Sequence, residues 1–583
     1  MRPSCSPRLT FVQFSRFCLL AFGGLPFLLS GAPGAELLVL DPTNFDEAVP
    51  HGKEVDSIYG DFLLRNEHVV AVIAQPRAER DANMTVREVG GCLIDLSTRA
   101  PDTNDQLSAF YPGASQFAYR SAEIYTGDGR WETKSSAAEN LVQHSQIGLR
   151  CIAPSSPGKP RVTTTYWLAD HARVLEVITV ISNPHDEEVS VNVRDSIRSD
   201  KGFEAGFDAD RNMVWVHDEW WRKAYGFIPQ GTKSLPNAGS LSRARPVIDY
   251  VTAGDEQVQP QAVKLGSGQS LRLSRWIVPA ANLLELRGLA DQVRGLDLRT
   301  IHVSVQDDQG PIDHARVELF RGDTSLGVGR TLLSGSATFQ VPPGDYRVIV
   351  SAIGRTDASC SFTADQSEVV VSMEQPGYVA AKITAEDGSP IACKVEFRGT
   401  AGGADPDFGP DTEVWQVKNL VYTENGSFTQ AIAPGTYDII ISHGPEYDAI
   451  FANIKVERGG TTQLEGKLIR SVNTTGWVSS DFHSHSTPSG DNTSSQLGRV
   501  LNLLAEHVEF APCTEHNRIS TYGPHLQRLQ AEHRMATCTG MELTGGPLPV
   551  NHQNAFPLQM RPRTQDGGAP RTDLDPVVQI ERL

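Results

Sequence analysis

Two stretches decide how the fold reads: GSATFQVPPGDYRVIVS, Gly335 to Ser351, and GSFTQAIAPGTYDIIIS, Gly426 to Ser442. Each alternates apolar and polar residues on both sides of a Pro-Gly-x-Tyr turn, Pro343 to Tyr346 and Pro434 to Tyr437. That is the pattern of short antiparallel strands with one buried face. The correspondence extends upstream. Gln309-Gly310-Pro311-Ile312 and then ARVELF (Ala315 to Phe320) precede the first stretch. Gly388-Ser389-Pro390-Ile391 and then KVEF (Lys394 to Phe397) precede the second. Residues 299–375 and 376–470 are therefore expected to be two copies of one small β module. The second copy has a Gly/Asp/Pro-rich insertion, Gly399 to Thr412, read as a long loop.

Toward the N-terminus the same grammar continues. LLRNEHVVAVIAQ (Leu63 to Gln75), TTTYWLAD (Thr163 to Asp170) and VLEVITVISN (Val174 to Asn183) are β-branched, aromatic and partly alternating, so residues 36–298 predict a large β-sandwich. VSVNVRDSI (Val189 to Ile197) follows at once and predicts a hairpin around Pro184 to Glu188. Trp215, Trp220 and Trp221, beside His217, Asp218 and Glu219, read as packing or, less often, as a carbohydrate-binding platform. The repeated modules resemble the carboxypeptidase-regulatory-like, immunoglobulin-like modules of exported bacterial proteins, which implies a structural role.

The first 35 residues carry a different message. Arg2, Arg8 and Arg16 precede the apolar run Phe17 to Leu29, and small residues follow in SGAPGA. This predicts a secretory signal peptide over residues 1–35, cut after Ala32 or Ala35, and so a periplasmic or extracellular protein. No later run is apolar enough to predict stable membrane insertion. The 583 residues carry a net charge of −18, which argues against a general nucleic-acid binder. With 51 glycines and 36 prolines, the composition suits several turn-rich β domains. Beyond the leader stand Cys92, Cys151, Cys360, Cys393, Cys513 and Cys538. No pair has C-x-x-C spacing, so a zinc ribbon is not indicated and most are expected to be buried thiols.

After Ser471 the order changes to strand, helix, strand, helix. GWVSSDFHSH (Gly476 to His485), VEFAPC (Val508 to Cys513) and ATCTGMEL (Ala536 to Leu543) read as strands. Ser495 to His507 and Tyr522 to Met535 read as helices. Such units predict parallel strands with crossover helices, the start of an α/β barrel. Ionisable residues gather at the strand ends: Asp481-Phe482-His483-Ser484-His485, Thr514-Glu515-His516-Asn517, Gly540-Met541-Glu542 and Asn551-His552-Gln553-Asn554. Residues two apart in a strand share a face, so His483 and His485 can grip one ion together. Imidazole with carboxylate favours zinc, manganese or iron over calcium.

On these motifs the segment 471–583 resembles the start of a PHP (polymerase and histidinol phosphatase) domain, in the exported branch related to carbaryl hydrolases. The family pattern runs D-x-H-x-H, T-D-H-N, G-x-E and a His in an H-x-N-type segment. The resemblance implies a distorted β/α barrel with a cluster of divalent transition metals, hydrolysing phosphoesters or related esters. It also implies His483, His485, Asp491, His516, Glu542 and His552 as metal ligands, Glu542 bridging, Glu542 and His516 in catalysis, and Asp481 orienting a ligand from behind. Glu515 stands where the family has Asp. The family completes its site with a later His and a D-x-H pair, whereas no histidine follows His552. The barrel is thus expected to be partial, a fragment or truncated reading frame of doubtful activity.

The leading expectation is a secreted metal-dependent hydrolase that attacks a small-molecule or polymeric ester with metal-activated water. The alternative is an exported β-rich binding or scaffold protein with an incomplete, inactive PHP domain. Polysaccharide processing by the Trp215 to Trp221 region is a third reading, without an assignable pair of catalytic carboxylates.

Overall fold

A computed structural model describes residues 34–53, 55–99, 104–133, 141–200, 202–252, 262–400, 402–544, 552–572 and 574–583. Most of the leader expected at the N-terminus lies outside these residues. The chain is predominantly antiparallel β, arranged as successive layered units.

The first unit faces two nine-stranded sheets against each other. One runs from the edge strand Thr232–Pro236 to Leu141–His144, the other from Glu204–Asp208 to Arg130–Glu132. Leu64, Ala71 and Phe110 from the first pack on Tyr166, Val177 and Phe227 from the second. The Phe110 and Phe227 rings stack with centroids 5.5 Å apart. Through this apolar interior runs one ion pair. Arg275, on Ser270–Ala280, meets Asp195, on Arg194–Ser199, through Nε–Oδ2 at 2.8 Å and Nη2–Oδ1 at 2.9 Å. The remaining capacity is used: Tyr250 Oη and Gly113 N donate to Asp195, and Arg275 Nη1 donates to Thr179 Oγ1.

The expected hairpin at Pro184 to Glu188 does not form. Leu175–Ser182 is an inner strand, flanked by Arg161–Ala169 and Ser270–Ala280, so neither edge is open to the following segment. Asn183 redirects the chain instead. Its Nδ2 donates to Glu187 O and Leu265 O, and its Oδ1 accepts from His185 N. Arg194–Ser199 then pairs in the opposite sheet, with Leu107–Pro112 and Val247–Thr252.

The two repeats fold alike. In each, the first strand (Arg299–Asp307 or Gly377–Ala385) pairs antiparallel with the strand before the Pro-Gly turn and parallel with the last strand of the unit. The repeated tyrosine closes that turn, with Tyr346 Oη donating to Pro342 O and Tyr437 Oη to Ala433 O. The insertion is more than a loop, because its Phe408 is fully buried against Phe397 in the second module's core. It also receives the tryptophans. Trp220 Nε1 donates to Glu413 Oε2 and Trp221 Nε1 to Thr412 Oγ1, so both rings pack at a junction between units rather than on an open platform. The six described cysteines are free thiols, and Cys92, Cys151, Cys393 and Cys513 are buried.

In the last segment the helix Gln496–Ala505 buries Leu497, Val500, Leu501 and Leu504, with Ser495 Oγ capping Gly498 N. The other elements are shorter than their patterns suggest. The second helix is only Gly523–Arg528 and gives way to a turn where Gln530 takes φ +53°. The three expected strands meet through isolated parallel bridges, Ser480 with Phe510, Phe510 with Ala536, Cys513 with Thr539, and His516 with Glu542. Among the described residues of this segment, true strands form at Met541–Leu543 and Gln553–Ala555, which pair antiparallel. The order is that of parallel segments joined by helices, without a continuous ladder. No described helix is long and apolar enough to cross a membrane.

Replacing Asp195 by Ala strands the Arg275 guanidinium inside the sandwich and is expected to destabilise it by about 3–5 kcal/mol. Chemical denaturation of the full chain measures this, and a loss under ~1 kcal/mol would show that the pair does not tie the sheets together.

Candidate metal centre

Alternation, not a ladder, positions the H-x-H pair. Ser484 turns inward, its N–H donating to Thr514 Oγ1 at 2.9 Å and its hydroxyl meeting Tyr522 Oη at 3.0 Å. His483 and His485 face the other way, with ring centroids 4.8 Å apart. Asp481 supports them through the backbone, because its Oδ1 accepts from His483 N at 3.0 Å. Asn517 ties the next two segments. Its N–H donates to Glu542 O, its Nδ2 to Thr544 O, and its Oδ1 accepts from Thr544 N.

The imidazoles converge on Glu542, whose side chain has 0% exposure. His483 Nε2, His485 Nε2 and His516 Nδ1 lie 3.2, 3.0 and 2.8 Å from Glu542 Oε2. His552 Nδ1 lies 2.5 Å from the other oxygen, Oε1. The ligand atoms of His483, His485 and Glu542 are all within 4.8 Å of one another. Buried though they are, Glu542 Oε2 and His516 Nδ1 make no aligned hydrogen bond. A buried carboxylate oxygen must be compensated, and what surrounds this one is a fan of ring nitrogens.

The polar groups behind the rings decide which nitrogens carry protons. Ser489 Oγ donates its one hydrogen to Glu515 Oε2, so it can only accept from His485 Nδ1, 3.1 Å away. Asp491 Oδ2, an acceptor, lies 2.9 Å from His516 Nε2 and takes that ring's N–H. In its neutral form each ring is thereby left with a lone pair toward Glu542 Oε2. Two lone pairs against a carboxylate oxygen suit a shared cation, which is the arrangement expected of metal-binding histidines held from behind. Burial holds the His485 imidazole below its usual pKa, neighbouring His516 adds to the fall and Glu542 opposes it, so the neutral ligand form is favoured.

The six expected ligands thus gather in one place, with different parts to play. His483, His485, His516 and Glu542 form the tight group. His552 addresses the second oxygen of Glu542, as a bridging carboxylate would allow. Asp491 sits behind His516, its Oδ2 2.9 Å from Nε2. Glu515, whose role the sequence left open, is fully buried away from the imidazoles and accepts from Ser486 N and Oγ, Ser489 Oγ and Gln496 Nε2. Ser486, Ser489 and Gln496 were not among the expected site residues. The signal for the two serines in the sequence is a run of hydroxyl residues directly after the H-x-H, and Gln496 has none.

Neither a family model nor a curated protein matches the chain. Solved structures with some likeness include a TPR-domain containing protein from Parabacteroides distasonis, 12% identical over 38% of this chain and 47% of that one, with a TM-score of 0.24. Others are a polysaccharide lyase, 9% identical over 68% and 47% with a TM-score of 0.24, and heparan sulfate lyase HepC from Pedobacter heparinus, 12% identical over 51% and 43% with a TM-score of 0.22. The chain spans about half the length of these proteins. Likeness of this degree leaves the chemistry to this chain's own residues.

Ser489→Ala removes the acceptor that fixes His485 and is expected to weaken binding of zinc or manganese by about 10- to 100-fold. Titration against a chelating dye measures it, with circular dichroism to verify folding. Undiminished affinity would show that the hydroxyl does not set the tautomer.

Proposed function

We propose that the chain is an exported metal-dependent hydrolase of the PHP type, acting on a phosphoester or a related ester. The observation that carries this reading is Glu542 Oε2, buried without a hydrogen bond and within 3.2 Å of three imidazole nitrogens. Such a donor set fits zinc, manganese or iron. A divalent cation there supplies Lewis acidity toward an ester oxygen and lowers the pKa of a water. The chain's own residues do the rest. Glu542, His485 and His516 form the closed floor, while His483, Asp491 and His552 are 45, 45 and 60% exposed and line the side from which a substrate arrives. Ser489 and Asp491 hold two of the rings in the orientation that binding needs.

A second reading, an exported β-rich binding or scaffold protein with an inactive centre, draws on a different observation. The segments that carry the centre meet only through isolated bridges, and Trp477, Val478 and Phe482 on the first of them are exposed. Elemental analysis of the purified chain separates the two. The hydrolase reading expects at least one tightly held transition metal, lost in the His483→Ala/His485→Ala double variant, and turnover of a generic phosphodiester or carboxylic ester with manganese or zinc. A chain that holds no metal and turns over neither ester belongs to the second reading.

Export is part of the proposal. Ala35 is fully buried and pairs with His144, so cutting after Ala32 preserves the first strand, Ala35–Val39. N-terminal sequencing of protein from the periplasm or medium is expected to begin at Pro33. Cytoplasmic material that retains Met1 would refute this.

A further inference from the structure

A cavity of about 670 Å³ lies where the sandwich, both repeated modules and the last segment come together. Its size is that of a small-molecule site. The sandwich contributes His217, Asp218 and Trp220, the first module Arg316 and Arg330, and the second module the insertion loop around Asp407 and Thr412. No step in the hydrolase reading uses it.

The charges around this cavity are already committed. Glu219 holds both arginines, Arg316 Nε at 3.1 Å and Arg330 Nη2 at 2.7 Å, and Arg330 also lies over the Trp220 ring. Lys418 Nζ pairs with Asp411 Oδ1 at 3.1 Å. The lining carries more carboxylates than cations, so the cavity offers little to an anion. What it presents is acceptors, namely the carboxylates of Glu204, Asp218 and Asp407, beside the apolar surfaces of Ile353 and Pro410. Among the described lining residues two buried atoms lack a partner, Arg330 Nε and His217 Nε2. His217 is 5% exposed and lines the cavity, and its Nε2 has no hydrogen-bond partner. Burial, with Arg330 and Arg316 adding to the effect, pushes its pKa down to about 4, so the ring is neutral and offers one donor and one acceptor. Leaving such a group unmatched is costly, and a ligand that both donates and accepts relieves it.

We propose that this cavity binds a neutral, hydroxyl-rich ligand, a saccharide unit, with His217 and the carboxylates around it as its hydrogen-bonding partners. Hydroxyls donate to Glu204, Asp218 and Asp407 without bringing a charge that would need a counter-ion, and a hydroxyl serves either nitrogen role of His217. The site differs from a tryptophan platform, since Trp220 and Trp221 are engaged at the junction. It also stands apart from the metal reading, although it adjoins that centre. Thr493 lines the cavity and is two residues from Asp491, a span of at most about 7 Å along the chain.

The test is calorimetric titration of the full chain with gluco-, galacto-, manno- and xylo-hexaose, with oligogalacturonate and spermine as the anionic and cationic counterparts. At least one neutral hexaose is expected to bind, with the dissociation constant raised about tenfold or more by His217→Ala and partly restored by His217→Gln. Glu204→Gln and Asp407→Asn change exposed residues, leave the fold intact and are expected to weaken the same sugar about threefold or more. Binding is expected to survive removal of metal by EDTA, so failure of the hydrolase reading would leave this result untouched. The proposal is overturned if no neutral hexaose binds, if only oligogalacturonate or spermine does, or if a bound hexaose is indifferent to the rim variants.

Discussion

A carboxylate without water must find its compensation inside the protein, and that constraint organises the last segment. Two fully buried glutamates meet it in opposite ways. Glu515 is surrounded by donors, from Ser486, Ser489 and Gln496, and so serves as an anchor for the turn after the H-x-H. Glu542 is surrounded by imidazoles: His552 Nδ1 hydrogen-bonds its Oε1, while two of the rings facing Oε2 direct a proton elsewhere, His485 to Ser489 and His516 to Asp491. The first glutamate is satisfied by the protein alone. The second keeps one oxygen, Oε2, without a hydrogen bond and facing ring nitrogens, and the anchor made by the first holds Ser489 behind His485.

That arrangement rests on support from outside the segment, whose own parallel contacts are sparse. The helix Gln496–Ala505 buries Val500, Leu503 and Leu504 in a cluster that includes Ala392 of the second module. Lys394 pairs with Glu506, and Arg534 donates to Glu424 O and Pro390 O. From the other side the sandwich makes contact. Thr487 Oγ1 donates to Lys53 O, Arg518 to Ala82 O, and Gln565 Nε2 to Asp81 O. Tertiary docking thus supplies what a full set of neighbouring strands supplies in a closed sheet.

How much of this was legible follows from the range of the interactions. The Pro-Gly-x-Tyr repeats were readable because the tyrosine closes its own turn four residues back, and the helix Gln496–Ala505 because its apolar stripe and serine cap are local. The H-x-H pair could be read from period-two alternation, which survives even where the strand does not. The hairpin at Pro184 to Glu188 failed because pairing is settled by which edge is free, and Leu175–Ser182 has neither. The helix expected to Met535 stops at Arg528, although Leu526 on it is buried. The tryptophans were ambiguous because their indole N–H partners, Thr412 and Glu413, lie about 190 residues away. Ser489 was invisible for a related reason, since its role depends on Glu515 being brought beside it.

The turn from Ser486 to Ser495 joins all these constraints. At one end Ser486 and Ser489 bind Glu515, and Gly490, at φ +76°, packs so closely on the sandwich that a Cβ there would stand 2.6 Å from Asn83 Oδ1. In the middle Asp491 holds His516. Toward the far end Thr493 forms part of the cavity wall, and Ser495 then caps the helix. Ten residues therefore connect the imidazole cluster, the sandwich and the interdomain cavity, with their backbone fixed at both ends. The turn that orients His516 through Asp491 is thus the one that contacts Asn83 of the sandwich at Gly490 and lines the cavity at Thr493. The β units thus hold the turn in place from outside, through Lys53 and Ala82 of the sandwich and Ala392 of the second module.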